Sequence, residues 1–492
     1  MINKKRAFQR NKFLYLSLML LLSTYISNFL RGIKDSVLVT SLGAELISFI
    51  KFYGVLPVSL IFFLCFTKLT NILSRDKLYY LIIIFFCSFF MIYGFILNPY
   101  KHELQPNFSN AYLQYPQFKY QFMLLENWTT SLLYIMCEIC GTAILTLLFW
   151  QFANDLYTVK QAKENYALLG VIGQSGIIAA GLMQTIISKY LFESSSWEYT
   201  MKWMMSTIML ASIGLIIIYS WVYKNIPYKL KHKDDKRIKL SIRDSLRYIC
   251  SSRYLGLIML IVFCYGFSAN LIDIIWKDRL REQYKSEQEY SIFIGKFNII
   301  FGFISTLIML FGNYILRKFT WLFTALFTPI VITITSIIFF TLIIFRTELT
   351  PLLNSFGTNI LMMGVIIGSL QMILFKSLNY TFVDSSKEIA FIPLDKELRI
   401  KGKAAVDIIG GRFGKASGAL VQQIMLQCVN SNICNLAEEL FLIFIIIKTI
   451  ARELSFFANA KIYFLKIISQ NFFYLFVILV SFFQKYRIFI VK

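Results

Sequence analysis

The sequence predicts an all-α polytopic membrane protein with about twelve transmembrane helices in two six-helix halves. Three observations carry this expectation. Of the 492 residues, 57% are hydrophobic and only 16% are charged, against roughly 25% charged in soluble domains. Apolar runs of about 20 residues, the length that crosses a bilayer as a helix, recur from one end to the other. A basic stretch at 224–253 separates these runs into two groups, and motifs of the first group return in the second.

The expected spans are 13–31, 50–72, 78–97, 129–154, 167–190 and 201–223, then 254–276, 291–316, 321–345, 358–376 and 404–428. A twelfth is expected within 429–492, a divergent tail in which two short apolar runs, 441–447 and 472–483, leave its position open. The first twelve residues, MINKKRAFQRNK, are basic and precede an apolar run, as in a signal peptide. No small-x-small cleavage site follows, so 13–31 is expected to remain as the first helix. With the N-terminus placed in the cytoplasm, loops on its side hold 26 Lys and Arg and the opposite loops 12, the asymmetry that orients membrane proteins. Residues 224–253 supply the largest share, and are expected to form a solvated cytoplasmic connector able to touch anionic lipid. Topology thus accounts for most of the net charge of +23. Nucleic acid is not an expected partner, because no long basic soluble segment is present to bind it.

The halves, 13–223 and 254–428, repeat in three places. SNFLRGIKDS (27–36) answers to SANLIDIIWKDR (268–279), LLFWQFANDLYTVKQAKE (147–164) to ILFKSLNYTFVDSSKE (373–388), and GVIGQSGIIAAG (170–181) to GGRFGKASGALVQQ (410–423). The pairs join helices 1 and 7, 4 and 10, and 5 and 11, a shift of six each time. A parallel six-helix repeat around a basic central loop is the major-facilitator-like architecture, with its substrate site expected between the halves near the bilayer midplane.

Charges inside apolar spans are the candidate functional residues, since each costs roughly 2.5–3.5 kcal/mol at mid-membrane on insertion scales. Arg31, Lys34 and Asp35 stand at the expected end of the first span and Lys51 at the start of the second. Glu138 lies deep in the fourth, with Thr142 and Thr146 following at four-residue steps, which makes one polar stripe. Asp273 shares a helical face with Gly266, Asn270 and Lys277, and Lys415 lies in a glycine-rich stretch with Arg412, Asp407 and Gln422. These charges either pair with one another and only hold the bundle, or hold a ligand. Desolvation offsets most of the Coulomb gain of a buried pair. Cations from both halves (Arg31, Lys34, Arg412 and Lys415) therefore make more sense converging on a multiply charged anion, with Glu138 and Asp273 as gates or counter-charges. Arginine and lysine suit phosphate by charge and donor geometry.

Other chemistry is poorly supplied. GGRFGKAS lacks the preceding strand and the Lys-Ser/Thr pair of a phosphate-cradling loop, so an ATPase is not expected. The only histidines, His102 and His232, lie in loops, and Cys137 and Cys140 sit in an apolar helix without a second ligand pair. No enzyme, metal or cofactor is expected.

The segment GIKDSVLVTSLGAELISFIKFYGVLP (32–57), together with FWQFAND (149–155) and GKAAVD through GKASGALVQQ (402–423), resembles the nucleotide transporter family, the ATP/ADP translocases of obligate intracellular bacteria and plastids. The likeness covers roughly residues 13–423. It implies a multi-pass protein of a bacterial inner membrane that exchanges ATP for ADP without covalent chemistry, and it carries the substrate-critical charges onto Lys34, Glu138, Asp273 and Lys415. The family usually has Glu where this chain has Asp273; the shorter side chain moves the carboxylate by about one ångström, the scale at which site geometry matters. The alternatives are proton-driven or exchange uptake of other ribonucleotides, and an impaired, non-transporting relative with an altered tail.

Overall fold

A computed structural model of the chain describes residues 2–157, 159–191, 196–225, 253–318, 321–355, 357–383, 406 and 411–429. The connector around 226–252 and the tail from 430 onward, with the expected twelfth span, lie outside the described residues. Among the described residues every regular element is helical, and ten helices are long and apolar enough to cross a membrane. We number the major helices α1 (Ile2–Ser41), α2 (Leu46–Ile72), α3 (Arg75–Leu97), α4 (Trp128–Asn154), α5 (Val159–Thr185), α6 (Trp197–Asn225), α7 (Arg253–Gln283), α8 (Glu287–Lys318), α9 (Trp321–Ile344), α10 (Ile360–Val383) and α11 (Gly411–Val429). Helix α11 occupies the place of the expected eleventh span.

Helices α1 and α7 continue past the C-terminal ends of the apolar runs that announced them. The first was expected to end at 31 and continues to Ser41; the seventh was expected to end at 276 and continues to Gln283. The reason is local. Lys34 and Lys277 are ion-paired, so neither charge forces the helix to stop. In α1 the hydroxyls of Ser36, Thr40 and Ser41 donate to the carbonyls of Gly32, Ser36 and Val37, which keeps polar side chains satisfied against their own backbone. Helix α1 ends at Gly43. Its φ is +109°, and its N–H caps the carbonyls of Leu38 and Val39 at 3.3 and 3.1 Å, a left-handed C-terminal cap that only glycine adopts without strain.

The chain divides into two compact units, Met1–Arg237 with Leu280–Leu310, and Ile238–Arg279 with Phe311–Lys492. In the first unit α1 is central, packed by α4, α5 and α6. Helix α5 approaches it through a glycine: a Cβ on Gly176 would fall 2.4 Å from the Leu21 carbonyl oxygen. Tyr79 of α3 stacks on Tyr219 of α6, with centroids 3.6 Å apart and planes within 4°. The opening turns of α8 belong to this unit and lie against α5, where Gly181, Gly295 and Gly302 leave room for backbone contact. Gln184 Nε2 donates to Ser291 Oγ at 3.0 Å and Gln288 Nε2 to the Ser188 carbonyl at 3.0 Å.

In the second unit α7 takes the corresponding place. A Cβ on Gly414 of α11 would come within 2.4 Å of the Phe263 carbonyl, and one on Gly266 within 3.1 Å of the Gly411 carbonyl. Asn270 Nδ2 donates to Gln422 Oε1 at 3.2 Å. On its other side α7 meets α10, where Trp276 Nε1 donates to Ser369 at 3.1 Å and Tyr265 to the Phe375 carbonyl at 3.2 Å. Small residues of this kind replace the hydrophobic driving force that lipid does not provide. Helices α1 with α5, and α7 with α11, are thus two close glycine-mediated pairs that stand six helices apart in the chain.

Candidate functional site

Helix α1 carries Arg31, Lys34 and Asp35, and α4 brings Glu138 to them. Lys34 Nζ lies 2.9 Å from Asp35 Oδ1 and 3.0 Å from Glu138 Oε1. The same ammonium stands 3.8 Å from the centroid of the Tyr134 ring, inside cation–π range. Tyr134 and Glu138 are four residues apart and so share a face of α4. Gly141 of α4 faces Ser27 of α1 beside this contact.

The three charged side chains differ in access. Those of Lys34 and Asp35 are 3% and 7% exposed, whereas that of Glu138 is 33% exposed. Thr142 and Thr146 continue the stripe and are exposed, with Thr142 Oγ1 donating to the Glu138 carbonyl at 3.1 Å. Just past this point α4 widens into a π-helical turn over Ala143–Trp150, an irregularity frequent at functional sites. Arg31 and Lys51 also act electrostatically on the Glu138 carboxylate. The cluster therefore sets three cations against two carboxylates. Burying such a set is a poor way to stabilise a bundle, and its ammonium and guanidinium groups suit an anion.

In the second unit Asp273 Oδ2 pairs with Lys277 Nζ of its own helix at 2.8 Å, and Arg279 with Asp278 at 3.2 Å. Of the face expected to be polar, Gly266 and Asn270 contact α11, as described above. Lys415 has its backbone N against Gly266, 3.3 Å from the position of a Cβ there, and its side chain is exposed. Arg412 lies in the first turn of α11, with its side chain outside the described residues.

Sequence reasoning therefore picked out Lys34 and Glu138, which the fold joins, and Asp273 and Lys415, which stand on adjoining helices. It missed Tyr134. The signal was its four-residue spacing from Glu138, hidden among so many aromatic residues.

A protein-family model described as TLC ATP/ADP transporter matches residues 5–455. The expected likeness stopped near 423, whereas the match runs on to 455. The chain is 38% identical over 434 residues to ADP,ATP carrier protein 1 of Chlamydia pneumoniae, covering 84% of each chain. It is 36% identical over 430 residues to ADP,ATP carrier protein 1 of Rickettsia prowazekii (strain Madrid E), covering 84% of this chain and 86% of the relative. Among solved structures, an inward-facing bacterial homologue of the iron transporter ferroportin superposes with a TM-score of 0.59 at 13% identity, over 91% of this chain and 99% of the other. At that identity the likeness speaks for the major-facilitator-like fold alone.

Proposed function

Because the chain belongs to the TLC ATP/ADP transporter family, we propose that it exchanges ATP for ADP across a bacterial inner membrane, with Lys34, Glu138, Asp273 and Lys415 in the substrate path. It is an integral membrane transporter and not an enzyme. The observation that carries the reading is the Lys34–Asp35–Glu138 cluster, one ammonium shared between two carboxylates within apolar helices. A nucleotide phosphate chain is an anion of matching charge and offers several acceptors to an ammonium and a guanidinium.

The mechanism follows from competition. In the resting cluster Glu138 occupies one side of the Lys34 ammonium. An arriving phosphate takes that side, and the partly exposed carboxylate is released, while the buried Asp35 keeps Lys34 in place. Departure of the nucleotide restores the Lys34–Glu138 pair. A site that alternates between two partners binds firmly enough to select an anion and loosely enough to let it go. Arg412 and Lys415 provide the equivalent positive charge on α11. The N-terminus is cytoplasmic in this reading, from the Lys and Arg bias of the loops.

Exchange of external ATP for internal ADP moves about one net negative charge inward, which costs about 2.3 kcal/mol per 100 mV of inside-negative potential. The nucleotide gradients supply it. The test is uptake of labelled ATP, GTP, CTP and UTP into bacteria expressing the chain, each against a hundredfold excess of unlabelled ATP, ADP or AMP. ATP uptake suppressed by ATP and ADP, with the other bases excluded, is the expected result. Preferential uptake of another base, undiminished by ADP, would replace this reading with transport of that nucleotide.

A further inference from the structure

Lys51 is a charge that the sequence singled out and the exchange reading does not use. It lies in the first turn of the irregular stretch of α2. The helix is regular over Leu46–Phe49 and widens into a π-helical turn over Ile50–Val55, closed by the N–H of Leu56 donating to the Lys51 carbonyl five residues back. The inserted residue re-aims the side chains around it. Its neighbour Ile50 is buried and Lys51 is half-buried.

The same turn seats α2 on α4. Gly54 lies so close to Ile135 that a Cβ would fall 2.7 Å from Ile135 Cδ1, and Ile135 is one helical turn before Glu138. The ammonium of Lys51 thereby comes within electrostatic range of the Glu138 carboxylate. Lys34 already holds two carboxylates at hydrogen-bond distance, and Lys51 acts on one of them, Glu138, from a second helix.

We propose that Lys51 is a substrate-binding residue, contacting the phosphate chain of the transported nucleotide from α2 while Lys34 contacts it from α1. The proposal rests on the nucleotide-exchange reading. The two lysines divide the work. Lys34 is fixed by Asp35 and trades Glu138 for phosphate; Lys51, on a wide turn, adds the charge that makes a triphosphate or diphosphate hold better than a monophosphate.

The test uses purified protein, measuring ATP binding calorimetrically in detergent and ATP uptake in ADP-loaded liposomes, for wild type, Lys51→Gln and Lys51→Arg. Lys51→Gln is expected to raise both KM and Kd for ATP about tenfold, as for one lost charge-assisted hydrogen bond, with Vmax within about a factor of two. Lys51→Arg is expected to restore most of the affinity. Unchanged affinity in Lys51→Gln, a fall in Vmax at constant KM, or equal defects in both variants would overturn the assignment. Should wild type bind ATP but show no counter-exchange, the exchange reading fails while Lys51 is still judged by the binding data; a wild type that binds no nucleotide would sink both.

Discussion

Lys34→Ala is expected to abolish nucleotide uptake, lowering it at least a hundredfold, while the protein still reaches the membrane. Lys34 bridges α1 and α4 through Glu138 and is the residue that the proposed mechanism passes from carboxylate to phosphate. Charge-assisted hydrogen bonds are worth about 1.5–3 kcal/mol each, and a phosphate group accepts more than one. The substitution also leaves Asp35, 7% exposed, without its ammonium. Breaking one partner of a buried pair costs about 3–5 kcal/mol, so some loss of stability accompanies the loss of transport. Lys415→Ala separates the two effects. Its side chain is exposed, so removing it is expected to leave the melting temperature within a few degrees while uptake is lost. Quantified membrane insertion, thermal melting and ATP uptake on both variants check this. Wild-type uptake by either variant would remove that residue from the site.

Gly414→Ala and Gly176→Ala are expected to deplete folded protein, and this is the largest structural effect the packing implies. At each site the added methyl meets a carbonyl oxygen at 2.4 Å, that of Phe263 or of Leu21. A flexible side chain could turn aside; a helix backbone cannot without separating the two helices. Overpacking of a well-fitted core costs about 1–3 kcal/mol, and here the pairs α7–α11 and α1–α5 must part along their length. Gly256→Ala is the control, since nothing lies within 4 Å of its added methyl. Membrane yield and melting temperature should fall sharply for the first two variants and stay unchanged for the third.

Helix positions were legible because each span needs a long apolar run. Most of the described helices begin and end within a few residues of the expected bounds, but α1 and α5 begin at Ile2 and Val159 rather than 13 and 167, and α10 runs to Val383 rather than 376. Two further differences sit where charge is buried. Hydropathy ended the first and seventh spans at Arg31 and near Lys277, but ion pairs and hydroxyl back-bonds carry α1 on to Ser41 and α7 to Gln283. The glycine-rich stretches of α5 and α11 were legible as a repeat, though not the helices they would meet. The α5–α8 contact through Gln184 and Ser291 was not foreseen, since serine and glutamine near a helix end read as ordinary loop flanks. At the site, Lys34 and Glu138 stood out as charges in apolar surroundings. Asp35 read as one more charge beside Lys34, and its service as the buried anchor of that ammonium depends on a side-chain direction that spacing does not give. Tyr134 carried no contrast against a chain with 48 Phe.

Obligatory exchange is decided by counter-transport in liposomes. Purified protein is reconstituted with ADP inside or with empty lumen, labelled ATP is added outside, and both ATP entry and ADP exit are followed. ATP is expected to enter only ADP-loaded vesicles, with one ADP leaving for each ATP entering, and to enter faster when the interior is made positive. Equal ATP entry into empty vesicles, driven instead by an imposed proton gradient, would contradict exchange and make the protein a proton-coupled importer.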